Sequence, residues 1–136
     1  MHHSDNEEFL GIDVGDKRVG IARGSTAAKI AEPLKTVHAD IALSEIFDLI
    51  ESNHIDGVVV GLPRNLKGDE TTQTKKVKAW TNSAKAQINL PFYWQDEALT
   101  SVAAQQAASP AGVDAAAAAV FLQDFLDTPA EQRVRC

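Results

Sequence analysis

The fold is decided by one stretch near the start of the chain, Phe9-Leu-Gly-Ile-Asp-Val-Gly15. Its apolar residues alternate, with Leu10, Ile12 and Val14 on one face, and this period of two predicts a β-strand. Aspartate is disfavoured inside strands, so Asp13 is out of place in an otherwise apolar run. Alone, Asp13 could accept hydrogen bonds from backbone amides of the following turn. Equally, it could be a functional carboxylate at the end of the strand.

The segments that follow predict four more strands. Residues 19–23 form a second strand in a hairpin with the first, and residues 30–37 a third. Pro33 places that third strand at an edge of the sheet or interrupts it. The β-branched run Gly57-Val-Val-Val-Gly61 is typical of a strand buried on both faces. Residues 91–95 are a short aromatic strand.

Helical patterns separate the later strands. Asp40 is predicted to cap a helix that ends near Asn53, and the spacing of Val77, Trp80, Ala84 and Ile88 predicts a second helix. Further helices are expected over residues 100–108, with Thr100 as the cap, and over residues 113–126. The order predicts an α/β fold with a mixed five-stranded sheet, three leading antiparallel strands and two parallel ones, and helices on both faces.

The composition fits one globular domain. The chain has 136 residues, of which 44% are hydrophobic and 24% charged, as expected for a single core. We expect residues 1–8 to be a flexible N-terminal segment, 9–127 the domain and 128–136 a C-terminal tail. No apolar run approaches the roughly 20 residues that cross a bilayer, so no membrane partner is expected. Cys136 is the only cysteine, which excludes an internal disulfide and suits a cytoplasmic protein.

The charge distribution is uneven. The net charge of −6 argues against a nucleic-acid partner, because binding phosphates needs clustered basic residues. Between Arg64 and Lys85, however, the sequence has six basic residues and only two acidic ones, Asp69 and Glu70. That segment is either a solvent-exposed loop and helix face or a local surface that binds the phosphates of nucleic acid.

Three carboxylates are candidates for a common site. Glu97 follows Asp96 at the end of the aromatic strand, and Asp114 opens the last helix, where helix dipoles alone also favour acidic residues. Sites in open α/β sheets form at the carboxyl ends of parallel strands, so Asp13 and Glu97 are expected to converge, with Asp114 beside them. Clustered carboxylates repel one another unless they hold a cation such as Mg²⁺ or Mn²⁺. Two such ions about 3.5–4 Å apart would activate water for phosphodiester cleavage.

Four segments of the sequence indicate a function more specifically than the three carboxylates do. They are residues 11–20, 58–68, 96–100 and 113–116. In this order they resemble the motifs of the YqgF/RuvX family, the Holliday junction resolvase-like proteins also described as pre-16S rRNA nucleases. The resemblance covers nearly the whole of residues 9–127 and implies an RNase H-like fold.

The resemblance also implies roles for individual residues. Asp13, Glu97 and Asp114 would be catalytic residues and ligands of Mg²⁺ or Mn²⁺. The residues that would bind nucleic acid are Lys17, Arg18, Arg64, Asn65 and Lys67, and Asp96 and Thr100 complete the matched motifs. The implied activity is a metal-dependent endonuclease on structured nucleic acid, such as the 5′ end of pre-16S rRNA, in a monomer or homodimer.

Two departures from the family pattern keep other functions open. Ala98 stands where the family has arginine, and the segment between Thr100 and Val113 lacks a basic, glycine-rich insertion. Both favour a non-catalytic nucleic-acid-binding protein as an alternative, while a nuclease on branched DNA would use the same chemistry. Residues 13–15, followed by Gly20, also resemble the phosphate loop of actin-like and sugar-kinase ATPases, which need two domains around the nucleotide. A zinc site or a Ser-His-Asp triad is disfavoured by the lone Cys136 and the spacing of the four histidines.

Overall fold

The computed structural model describes residues 6–63, 70–96 and 110–136. Within these residues the strands are β1 (Glu8–Val14), β2 (Arg18–Ser25), β3 (Ile30–His38), β4 (Gly57–Leu62), β5 (Phe92–Asp96) and β6 (Val134–Arg135). The helices are α1 (Ala42–Asn53), α2 (Thr72–Gln87) and α3 (Val113–Asp127). The predicted helix over residues 100–108 lies outside the described part. No described helix is long and apolar enough to cross a membrane.

One mixed sheet joins all six strands in the order β3-β2-β1-β4-β5-β6. The first three strands are antiparallel, and β4 and β5 continue the sheet parallel to β1. This confirms the predicted topology, and β3 is an edge strand as Pro33 indicated. The number of strands was wrong by one, because the short β6 adds an antiparallel edge beside β5.

The two faces of the sheet are covered by different helices. Leu10 and Ile12 of β1 face α1 and α2, where Ile46 and Val77 are fully buried. The opposite face of β1 begins with Phe9, which packs against Phe125 of α3 in a second cluster. Because side chains alternate along a strand, Asp13 lies on the same face as Phe9 and therefore under α3.

Residues 128–136, expected to be a tail, contribute to the sheet instead. A 3₁₀ turn at Ala130–Gln132 leads into β6, and Val134 pairs with Trp94 of β5. The Arg133 guanidinium lies 5.2 Å from the ring centre of Phe9 and 4.9 Å from that of Phe125. Cation–π contacts of this kind hold the segment against the domain.

The predicted cap of α1 was wrong. Asp40 lies in a 3₁₀ turn, Ala39–Ile41, and α1 begins only at Ala42. Ile41 occupies the N-cap position, and no side chain caps the helix there. The end of α1 at Asn53 agrees with the prediction, since His54 adopts the left-handed conformation that terminates many helices.

Candidate functional site

Asp13 lies at the end of β1 where the parallel strands also end. It is half-buried, and its Cα partner on β2 is Gly20. Directly opposite residues of an antiparallel pair point to the same face, so Gly20 also faces α3. Gly20 has no side chain, and its position beside Asp13 leaves room for another group above the sheet.

That room is filled by the first turn of α3. A Cβ atom added to Gly20 would lie 2.5 Å from the backbone nitrogen of Ala115 and closer still to the Asp114 carbonyl. The helix backbone therefore rests directly on β2 at the position next to Asp13. The structure thus places the backbone of Asp114 against Gly20, the β2 partner of Asp13, although the two aspartates are far apart in the chain.

Arg18 contacts this site from the start of β2. Its Nε donates to Oδ2 of Asp114 at 3.1 Å, and the two side chains are 64% and 34% exposed. Exposed ion pairs contribute only about 0–1 kcal/mol to stability, so Arg18 can exchange this partner for another anion at little cost. Lys17 precedes it in the exposed turn between β1 and β2.

The first turns of α2 lie at the same edge of the sheet. Gln73 Nε2 donates to the Val14 carbonyl at 3.3 Å, and Lys76 Nζ lies 3.4 Å from Asp16 Oδ1. Lys76 therefore adds positive charge beside Lys17 and Arg18. The sequence showed that this segment is basic but did not place Lys76 near Asp16, since only the fold brings α2 to the β1–β2 turn.

The remaining predicted site residues divide between the described and undescribed parts. Asp96 is the exposed last residue of β5 and pairs in register with Leu62, so β5 ends at the same edge as Asp13. Five predicted site residues lie outside the described residues: Arg64, Asn65, Lys67, Glu97 and Thr100. Ala98 lies outside them as well.

The donor atoms at this edge suit a hard divalent cation. Asp13 and Asp114 offer carboxylate oxygens, which Mg²⁺ and Mn²⁺ prefer. Residues 6–63, 70–96 and 110–136 contain no cluster of three acidic, histidine or cysteine side chains able to hold a metal ion. A site of the predicted composition would therefore need Glu97 as its third carboxylate.

Comparison with known proteins identifies the family of this chain. Residues 7–128 match the family described as "RuvX: Holliday junction resolvase". A relative from Chloroflexus aggregans, named "Putative pre-16S rRNA nuclease", is 37% identical over 135 residues, covering 90% of this chain and 95% of the relative. A protein of the same name from Rickettsia africae is 35% identical, covering 90% of this chain and 88% of the relative.

Solved structures resemble the fold. Thermus thermophilus RuvC in complex with a Holliday junction substrate superposes with a TM-score of 0.61 at 13% identity, covering 96% of this chain and 99% of RuvC. A second RuvC structure from the same organism gives a TM-score of 0.60 at 11% identity, with coverages of 95% and 99%. At such identity the likeness concerns the fold alone, and it agrees with the predicted RNase H-like architecture.

Proposed function

This chain belongs to the RuvX family of Holliday junction resolvases, and we propose that it is a divalent-metal-dependent endonuclease acting on structured nucleic acid. The observation that supports the proposal is the contact of the first turn of α3, which carries Asp114, with Gly20, the β2 partner of Asp13. Relatives named for pre-16S rRNA favour that precursor as the substrate, and the family resemblance points to its 5′ end.

The two carboxylates have a defined task in this proposal. Asp13 and Asp114 would hold Mg²⁺ or Mn²⁺ together with Glu97, the third residue that the family resemblance implies. Such ions lower the pKa of a bound water and stabilise the leaving oxygen in phosphodiester cleavage. Asp13 is positioned by the rigid end of β1, and Asp114 by the buried helix α3, so both would hold their oxygens in fixed places.

The basic side chains around the carboxylates would bind the phosphate backbone. Lys17 and Arg18 lie in or beside the β1–β2 turn, and Lys76 reaches the same turn from α2. A protein with a net charge of −6 can bind nucleic acid through such a local group, because contacts to phosphates depend on nearby cations. Arg18 would then release Asp114 and contact a phosphate.

Cleavage of two substrates tests this function. Purified protein is incubated with a fragment spanning the 5′ end of pre-16S rRNA, or with a four-way DNA junction, in Mg²⁺ or Mn²⁺. We expect cleavage of the RNA, its loss in Asp13→Asn and Asp114→Asn, and its retention in Asp16→Asn. Asp16 is a suitable control, since it is an exposed carboxylate only three residues from Asp13.

The outcomes separate the alternatives. Cleavage of the junction alone would replace the RNA substrate by branched DNA. Binding of either substrate without cleavage in any divalent metal would favour the non-catalytic protein suggested by Ala98. Full activity of Asp13→Asn would show that the proposed metal site is wrong.

A further inference from the structure

We propose that Thr36, on the edge strand β3, is a positioning residue that fixes Asp114 beside Asp13. The inference rests on the metal site proposed above and adds a residue that belongs to none of the matched motifs. It starts from the way in which α3 begins.

The N-terminus of α3 lacks a cap of its own. Its N-cap residue is Gly112, which has no side chain to accept a hydrogen bond from the first helical amides. Those amides need acceptors, which an N-cap side chain usually provides. Here Thr36 Oγ1 accepts from the backbone nitrogen of Ala115 at 3.3 Å and donates to the carbonyl oxygen of Ala111 at 2.7 Å. A strand of the sheet therefore caps the helix from outside.

Gly112 is adapted to this arrangement. Its φ of 102° lies in a region that L-residues with side chains rarely adopt. A Cβ atom at this position would also lie 2.8 Å from Thr36 Oγ1. The chain therefore enters α3 through a residue that lets the threonine hydroxyl approach the backbone.

The register of the sheet links Thr36 to the carboxylates. Gly20 pairs with Thr36 on one side and with Asp13 on the other. The first turn of α3 rests on Gly20 in the middle of this row, and Thr36 bonds to the backbone on either side of Asp114. Farther along, α3 is fixed by fully buried side chains such as Phe121 and Leu122. Loss of the Thr36 hydroxyl should therefore loosen the turn that carries Asp114 and leave the rest of the helix in place.

Three variants test the inference. Thr36→Val keeps the shape of the side chain and removes the hydroxyl, whereas Thr36→Ser keeps the hydroxyl. Thr128→Val is the matched control, because Thr128 Oγ1 donates to the Asp124 carbonyl at 2.7 Å at the other end of α3. Hydrogen exchange of the amides of residues 113–116 and calorimetric titration with Mn²⁺ are measured on each, with Asp114→Asn as the reference for a lost ligand.

In Thr36→Val we expect several-fold faster exchange at these amides and a Kd for Mn²⁺ raised about tenfold, as for other residues that orient metal ligands. Thr36→Ser and Thr128→Val should resemble wild type in both measurements. Unchanged exchange in Thr36→Val would overturn the inference. The inference would also fail if Thr36→Val exchanged faster but kept its Mn²⁺ affinity, while Asp114→Asn bound Mn²⁺ more weakly. That result would leave the proposed function intact. If Asp114→Asn itself binds Mn²⁺ like wild type, the proposed metal site fails, and the positioning role fails with it.

Discussion

Replacing Gly20 by alanine should displace Asp114 and weaken metal binding, although no carboxylate is substituted. The added methyl would lie 2.5 Å from the Ala115 nitrogen, whereas ordinary contacts begin near 3.4 Å. Backbone atoms cannot rotate away as the end of a side chain can, so the first turn of α3 must move by at least about 1 Å, the shortfall in that contact, because the Asp114 carbonyl lies closer still. Asp114 moves with it.

The size of the effect follows from this displacement. Overpacking of this kind costs about 1–3 kcal/mol of unfolding free energy. For a chain of this length that corresponds to a fall in Tm of about 4–12 °C. A displacement near 1 Å can lower the rate of catalysis about 100-fold. We therefore expect Gly20→Ala to fold, to melt earlier, and to lose most of its Mn²⁺ affinity and cleavage activity.

Thermal unfolding by circular dichroism and titration with Mn²⁺ provide the assay, with Gly24→Ala as the control. Gly24 lies on the same strand and face, but the atom nearest to its added Cβ is the flexible end of Leu126, at 2.8 Å, followed by the Ile30 carbonyl at 3.0 Å. Gly24→Ala should therefore lose less stability and keep its Mn²⁺ affinity. Equal loss of stability in the two variants, with unchanged Mn²⁺ affinity in Gly20→Ala, would show that the contact of Gly20 with α3 does not position Asp114.

Two further predictions concern single side chains. Arg18→Gln should change stability by less than about 1 kcal/mol, because its pair with Asp114 is exposed. It should weaken nucleic-acid binding and reduce the slope of log K against log salt by about one, and an unchanged slope would show that Arg18 contacts no phosphate. Burial raises the pKa of the Cys136 thiol from 9.0 to about 11, outweighing the opposing effect of Lys85 and Arg135. The native thiol should therefore react with iodoacetamide about 100-fold more slowly at pH 8 than in the unfolded chain, and rapid alkylation of the native protein would contradict this. The pKa of Cys136 is higher in the folded protein than in the unfolded chain. The contribution of this thiol to folding stability is therefore fully present below pH 9 and is lost as the pH rises through about 11.

Much of the fold could be predicted because its signals are local. The alternation around Ile12 and the β-branched run at Val59 identify strands without reference to the rest of the chain. Asp40 was misassigned because aspartate suits a helix cap and a 3₁₀ turn alike, and only backbone geometry separates them. The strand β6 escaped prediction because its segment is held by Arg133 on rings from distant parts of the chain, which leaves no periodic pattern.

The sequence supplied the residue types of the candidate site, but not the residues that would position them. Asp13 stood out because an apolar strand rarely contains aspartate, and the family motifs supplied Asp114. Thr36 gave no such signal, since a threonine in a strand has many ordinary roles, and Gly20 stood out only as the last residue of the matched segment 11–20. Their importance depends on register, which places Thr36, Gly20 and Asp13 side by side. A glycine at the N-cap of α3 was the one available hint that another residue must supply the cap.

Anomalous diffraction from crystals soaked in Mn²⁺ tests directly whether Asp13 and Asp114 bind one metal site. We expect a manganese peak bound by carboxylate oxygens of both Asp13 and Asp114, with the Arg18 guanidinium moved away from Asp114. An ordered site in which the two carboxylates point apart, with no manganese between them at millimolar Mn²⁺, would contradict this expectation.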